Sequence, residues 1–345
     1  MFERNVYDQY GLYCDVRLSI GDYEGFEAGG KSYVFFPKDE CASSEQEMLD
    51  FAEYYRSVGD ETMLSLRKTK QNGNLGLIDG QEVYLFELPN QENRSELRLD
   101  TSYEKGEHLS VIHYYGKQLS HPRKTYDYFG QWHKLWEQRL EQLEGWHQQI
   151  SYEKPRSYVD EAFLYSYPYF MGLTENAIQY AVDARLDDPA REQEQGTICH
   201  RRFTDSTWLT VSPRGGIVKR PTELVYDHPC RDVAEWIRQK KFDLSLERSN
   251  HWEDIHSFIE GYETHEPLTT YSWRLAYARL LFPVHYFETI ENYYRAQINE
   301  ERTQFGQTFF SIIEQEQTNE QFLKQFSEMV RIPKTSGKTP NVEWL

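Results

Sequence analysis

Eleven histidines raise the question of a metal site first. His251 and His256 are five positions apart, which separates them by about 140° on a helix and makes them poor co-ligands. No His-Glu-x-x-His occurs, and His113, His133 and His147 have no acidic or thiolate partner at ligand spacing. These are expected to be core or surface histidines with ordinary partners. The four cysteines, Cys14, Cys41, Cys199 and Cys230, form no Cys-x-x-Cys pair, so neither a zinc knuckle nor a thioredoxin motif is present. They read as small packed hydrophobes of a reducing compartment. There is no Gly-x-Ser-x-Gly nucleophile elbow. Gly29-Gly30-Lys31-Ser32 resembles the end of a phosphate-binding loop but is set aside as one. Arg201-Arg202 and Lys219-Arg220 are basic clusters too short for a nucleic-acid face.

The elements that must carry any site change character along the chain. Residues 10–20 alternate in part, and Lys31–Phe36 is a short β-rich run stopped by Pro37. Ser43-Ser44 predicts a helix cap, and Met48, Phe51, Ala52 and Tyr55 make one helical face behind it. Asn72-Gly73 and Asp79-Gly80 are hairpin-turn dipeptides. Pro89 and the polar residues 90–95 read as a hinge. From Gly106 onward the pattern is helical. A short helix is expected over 106–116, closed by Gly116. Phe129, Trp132, Trp136, Leu140, Leu143, Trp146 and Ile150 repeat at helical spacing as a core-facing stripe. Further helices are expected from Thr174 to Arg185, and over 231–241, 251–260, 271–295 with a break at Pro283, and 308–330. The segment from Ile332 is rich in turn formers and has no period.

Composition narrows the classes. Lys plus Arg number 38 against 56 Asp plus Glu, a formal charge of −18 over 345 residues. Counterion release needs clustered cations, so a general nucleic-acid or anionic-membrane binder is not expected. No apolar run approaches the roughly 18–20 residues that span a bilayer, and the first residues lack a signal-peptide pattern. Aromatic residues reach 15%, with 26 Tyr. Each buries a large area, which offsets the modest aliphatic content.

A β-rich segment, a hinge and a long helical segment is the layout of the protein-kinase-like fold. Gly196-Thr-Ile-Cys-His200-Arg-Arg-Phe-Thr-Asp-Ser-Thr207 sits where the aminoglycoside phosphotransferase and choline kinase group carries its catalytic loop, His-Gly-Asp-x-His-x-x-Asn. Gly106-Glu-His-Leu-Ser-Val-Ile-His-Tyr-Tyr-Gly116 resembles that group's short Gly-x-x-Leu-x-x-x-His-x-x-Gly helix. Trp132–Glu144, Tyr167–Tyr180, Gly196–Phe203 and Tyr226–Asp232 resemble more closely the YutH-like branch of the CotS family of spore coat proteins. The likeness covers most of the chain.

The resemblance carries over position by position. His200 matches the first histidine of the loop, and Arg202 stands where the proton-accepting Asp belongs. Thr207 stands at the metal-binding Asn. The second metal carboxylate falls near Lys219-Arg220. The phosphate-gripping Lys of the third strand falls within Tyr33–Pro37, which has none, although Lys31 and Lys38 flank it. Glu47, or Glu45, corresponds to the helix Glu that pairs that Lys. Asp232 corresponds to a structural Asp at a helix start, where an anion is favoured.

Phosphoryl transfer in this fold needs Mg²⁺ held by one or two carboxylates. Cations at those positions oppose it, at about 4 kcal/mol for unit charges ~4 Å apart at an effective dielectric of 20. Lys219 and Arg220 are expected either to hold an anion or to salt-bridge Asp205 or Asp227. A shifted loop offering Asp205 as base, or Asp227 as a displaced metal ligand, stays open as the competing reading.

The resemblance therefore implies an α+β, two-lobed kinase-like fold. A small antiparallel β lobe with one helix spans 1–89, a mainly helical lobe spans 90–331, and a tail spans 332–345. It implies a coat component of the endospore, made in the mother-cell cytoplasm without a signal peptide. Its partners would be other spore coat proteins, with no nucleic acid and no membrane. No catalytic residue, metal or cofactor is expected. ATP and Mg²⁺ enter only if the chain is instead an atypical small-molecule phosphotransferase.

Overall fold

The computed structural model describes residues 1–89, 99–119, 128–188, 194–211, 216–243 and 251–329. The hinge expected at 90–95 and the tail at 332–345 lie outside these residues. The chain opens with α1 (Phe2–Tyr10), β1 (Val16–Ile20), β2 (Tyr23–Ala28), β3 (Lys31–Pro37), α2 (Glu45–Ser57), β4 (Ser65–Arg67), β5 (Leu75–Ile78) and β6 (Gln81–Glu87). Helices α3 (Ser102–Lys117), α4 (Trp132–Glu153) and α5 (Tyr158–Asp187) follow. Then come β7 (Thr197–His200), β8 (Trp208–Thr210), β9 (Ile217–Lys219) and β10 (Leu224–Asp227). The chain ends in α6 (Cys230–Asp243), α7 (His251–Tyr262), α8 (Thr270–Leu281), α9 (Val284–Arg295), α10 (Asn299–Glu314) and α11 (Glu316–Met329).

Two compact units result. The first comprises Met1–Tyr128, Gln195–Asp232 and Ser257–Glu266, and the second the remaining residues. The first unit is built on an antiparallel sheet in the order β1-β2-β3-β6-β4, with β5 also pairing β6. Tyr33, Val34, Phe35 and Phe36 of β3 are all buried, with no alternation, because the sheet is covered on both faces. Phe2, Val6 and Tyr10 of α1 pack with Phe26, Tyr33, Phe35 and Leu85 on one face. Met48 of α2, with Leu209 and Val218 of the β8–β9 hairpin, packs with Val34, Phe36 and Phe86 on the other. Helix α1 was not anticipated. Its signal is the spacing Phe2-Val6-Tyr10 ahead of Gly11, which takes the left-handed conformation (φ 70°) that ends the helix.

The turn chemistry behaves as its dipeptides require. Gly29 and Gly30 (φ 57° and 77°) join β2 to β3, and Asp79-Gly80 (φ 47° and 91°) joins β5 to β6. Gly25-x-x-x-x-Gly30-Lys31-Ser32 in fact satisfies the full phosphate-loop spacing, which reading residues 29–32 alone overlooks. The segment forms a hairpin rather than a strand–loop–helix. Gly25 is required because a Cβ there would lie 2.4 Å from the Tyr33 carbonyl oxygen of the next strand.

Ser44 and Glu47 close the capping box of α2, and Thr101 and Glu104 that of α3. Helix α3 runs beyond both expected ends, so Gly116 does not terminate it. Gly116 instead lets α3 approach Thr197 and Ile198 of β7, since a Cβ there would lie only 2.3 Å from the Thr197 hydroxyl. Gly106 of α3 and Gly261 of α7 do the same for each other's helix. A Cβ at Gly106 would sit 2.0 Å from the Phe258 carbonyl oxygen, and one at Gly261 2.1 Å from that of Tyr103. Backbone cannot yield as a side chain can. Gly106→Ala is therefore expected to destabilise by about 2–3 kcal/mol, readable as a lower urea midpoint, whereas Gly145→Ala, which meets nothing within 4 Å, should not.

In the second unit Trp132, Trp136 and Leu143 of the aromatic stripe are buried, and Trp136 stacks on Phe282 at 4.8 Å. Helix α5 starts at Tyr158, not Thr174. Ser157 caps it by accepting from the Asp160 N–H at 3.1 Å, and the helix continues through Pro168. The expected break at Pro283 separates α8 from α9. The single helix expected over 308–330 is two, with α10 starting at Asn299 and giving way to α11 after Gln315. No helix among the described residues is long and apolar enough to cross a membrane.

Candidate functional site

Strand β7 pairs antiparallel with β10, placing His200 opposite Leu224 and Thr197 opposite Asp227. The β8–β9 hairpin places Trp208 opposite Lys219. Residues 201–207 form the loop between β7 and β8, and all of these belong to the first unit. The loop is held by its own side chains. Thr207 Oγ1 accepts from the Thr204 N–H at 2.8 Å and donates to the Arg202 carbonyl at 2.9 Å. Arg231 donates to the His200 and Arg201 carbonyls at 3.0 Å each and to Asp227 at 2.6 Å, with its guanidinium over the Tyr128 ring.

Asp232, at the start of α6, is fully buried and gathers the strand end. Its carboxylate accepts from the His200 N–H at 3.0 Å, from His200 Nδ1 at 2.7 Å and from His113 Nε2 at 3.2 Å. Trp208 Nε1–H donates to His200 Nε2 at 3.1 Å, which leaves Nδ1–H to face Asp232. His113 then uses Nε2–H toward Asp232 and accepts the Tyr262 hydroxyl at Nδ1, 2.8 Å away. The result is a directed chain from Tyr262 and Trp208 inward to one carboxylate. Burial opposes ionisation of Asp232, but the His200 and His113 contacts prevail and hold its pKa down to about 2.

The charged residues expected at the site pair differently from the expectation. Lys219 and Arg220 do not bridge Asp205 or Asp227. Lys105 pairs with Asp205 at 2.5 Å, and Arg231 with Asp227. Lys219 is buried, with Nζ 2.6 Å from Asp60 Oδ2 and facing the Trp208 ring. Arg220 lies 3.4 Å from Glu223, its guanidinium over the Tyr23 ring. Arg202 is half-buried in the loop. Asp60 was not anticipated. It lies 159 residues from Lys219, and only the fold joins them. Its other oxygen accepts from the Thr62 hydroxyl at 2.6 Å and N–H at 3.0 Å.

Burial pushes the Lys219 ammonium below its ordinary pKa, although Asp60 opposes the shift. Burial works against the Asp60 carboxylate too, but Lys219 and Thr62 outweigh it and its pKa is lowered. His108 lies edge-to-face against Trp208 at 5.1 Å, with Nε2 buried and without a hydrogen-bond partner among the described residues. Burial and the Lys219 charge push it down to about 3, so it is neutral at pH 7.

In the sheet, Lys31 pairs with Glu87 at 2.5 Å and Lys38 with Glu82 at 2.7 Å. Glu47 is buried and accepts the Ser44 hydroxyl at 2.8 Å, while Glu45 accepts the Tyr84 hydroxyl at 3.1 Å. Among the described residues His113, Cys199 and Asp232 bring potential ligand atoms within 4.8 Å of one another. That set is spent otherwise. Burial pushes the Cys199 thiol well up, it faces the Asp227 and His228 carbonyls as an S–H donor, and Asp232 is taken by the two histidines.

A family model described as "Spore coat putative kinase YutH" matches residues 3–326. The endospore coat-associated protein YutH of Bacillus subtilis (strain 168) is 30% identical over 352 residues, spanning 100% of this chain and 98% of the relative. Among solved structures, an aminoglycoside phosphotransferase from Alicyclobacillus acidocaldarius superposes with a TM-score of 0.62 at 14% identity, covering 96% of each chain. A spectinomycin phosphotransferase in complex with ADP and spectinomycin gives 0.58 at 13% identity, covering 92% of this chain and 97% of the other. At such identities the likeness shows the kinase-like fold alone.

Proposed function

Because the chain belongs to the YutH family of spore coat proteins with a kinase-like fold, we propose that it is a binding or scaffold component of the endospore coat whose kinase-like site no longer transfers phosphate. Its partners on this reading are other spore coat proteins, and it needs neither ATP nor Mg²⁺. The buried Lys219 ammonium, closed onto Asp60 at 2.6 Å, carries the reading. It stands at the end of β9, where the resemblance expects a metal carboxylate. Thr207, at the other expected ligand position, has its hydroxyl committed to the loop backbone at Thr204 and Arg202. The residues present therefore do not fit a magnesium–triphosphate. The two carboxylates that a shifted loop would need, Asp205 and Asp227, already hold Lys105 and Arg231.

The test is thermal unfolding with millimolar ATP, with and without Mg²⁺. No change in midpoint is expected in either case. A binder at [L] of ~100 Kd adds about 2.7 kcal/mol, so even modest affinity would register. A magnesium-dependent rise would overturn the proposal and favour a phosphotransferase with an unusual site.

A further inference from the structure

The second unit contains a cavity of about 580 Å³ that involves none of the residues of the kinase-like loop. It lies where the end of α4, the Lys154–Ser157 connection and the first turn of α5 meet α9 and α10. Trp146, Tyr293 and Tyr294 supply flat walls, and Lys154, Arg156 and Arg302 supply charge. Trp146 and Tyr294 are in ring contact at 5.3 Å. The size and the combination of aromatic wall with a few polar groups are those of small-molecule sites.

The charges decide the class of ligand. The two acids of the cavity are already engaged. Glu153 takes Arg156 at 2.7 Å, and Asp160 accepts from the Tyr294 hydroxyl at 3.0 Å and the Arg156 N–H at 2.8 Å. Lys154 and Arg302 have no carboxylate partner among the described residues. Arg302 instead lies over the Tyr293 ring, 4.7 Å from its centroid, which leaves its N–H edge for an acceptor. The cavity thus gathers two cations without a carboxylate partner among the described residues, in a chain with a formal charge of −18. Lys154 also adopts φ 70°, ψ 146°, a region in which residues other than glycine are strained. The fold thus holds this lysine at the cavity against a local cost.

The geometry points to a binding site for a small organic anion, a carboxylate or phosphate on a flat aromatic body. The ring stacks against Trp146 and Tyr294, and the anionic group meets Lys154 and Arg302. This site is independent of the kinase-like loop and of the reading given for it.

Phenylacetate and phenyl phosphate are suitable probes, with 2-phenylethanol as the neutral control, followed by ligand-observed saturation-transfer NMR and calorimetric titration. Both anions are expected to bind. The alcohol should bind at least about tenfold more weakly, one decade being 1.4 kcal/mol. Arg302→Gln and Lys154→Gln change exposed side chains, so the fold should persist, as circular dichroism would verify. Each is expected to weaken the anions about fivefold or more while leaving the alcohol unchanged, since only the charged contact is lost. Loss with phenyl phosphate alone would place the site among phosphate binders, and equal loss with both anions among general anion binders. Equal binding of the alcohol, affinities unaffected by both substitutions, or no binding of either anion at 10 millimolar, a level about tenfold above a 1 mM Kd, would overturn the inference.

Discussion

Lys219→Met should destabilise the protein by about 3–5 kcal/mol, the cost of removing one member of a buried ion pair. The ammonium gone, the Asp60 carboxylate would remain largely buried with only Thr62 to hold it. Its pKa, now lowered chiefly by Lys219 against the effect of burial, should rise above the ordinary value. Protonation would then relieve the variant. The deficit relative to wild type should shrink as pH falls below that raised value and reach its full size above it. Asp60→Asn/Lys219→Met keeps an acceptor for Thr62 and removes both charges. It should recover at least half of the loss, because buried ion pairs are about neutral against uncharged replacements. Urea midpoints of the wild type, both single variants and the double variant form the cycle. A single-variant loss under about 1 kcal/mol, the ordinary size for exposed pairs, would show that the pair is solvated and that Lys219 is free to meet a ligand.

The layout of this region was legible in the sequence, but its pairings were not. Binary pattern and turn dipeptides located β3, α2 and the Asp79-Gly80 hairpin, because each is decided by neighbours a few residues away. The loop beginning at His200 and the place of Asp232 at a helix start were what the family resemblance implied. The cations at 202 and 219 could be read, yet Asp60 could not, since no local signal ties a residue after α2 to the end of β9. The same limit explains the exchanged partners of Asp205 and Asp227. Helix α1 and the first four turns of α5 were missed for a different reason. Phe2, Val6 and Tyr10 form a sparse stripe among polar residues, and Pro168 looks like a helix stop although its ring permits the helical φ and removes only one donor. The phosphate-loop spacing at Gly25–Ser32 is the converse lesson. The residues match, but strand pairing on both sides of Gly29-Gly30 leaves no helix N-terminus to bind phosphate.

Asp232 should prove about as sensitive to substitution as Lys219. Asp232→Ala removes the acceptor of the His200 N–H and of two imidazoles in a fully buried setting. The expected loss is about 4 kcal/mol, given that each orphaned buried donor costs about 1–3 kcal/mol. Asp232→Asn should cost somewhat less, since one oxygen remains to accept, although the introduced N–H₂ faces donors. The pH dependence separates this from simple repacking. The folded pKa of about 2 lies below the unfolded value near 4, so the stabilisation is complete above pH ~4 and disappears as pH falls through 2. His113, pushed down by burial, costs stability in wild type and variant alike below its unfolded value of about 6.5, so the gap between them follows the Asp232 carboxylate. The gap between wild type and Asp232→Asn should therefore be constant from pH 7 to 8 and narrow progressively below pH 5. A gap that stayed constant down to pH 2 would mean that the carboxylate charge is not what holds His200 and His113. The contrast with Lys219 is physical. At Asp232 a buried charge is met by several directed donors and organises the strand end and the helix that follows. At Lys219 a single ammonium meets a single carboxylate. On the proposed reading, keeping the first beside the second leaves a kinase-like framework that does not transfer phosphate.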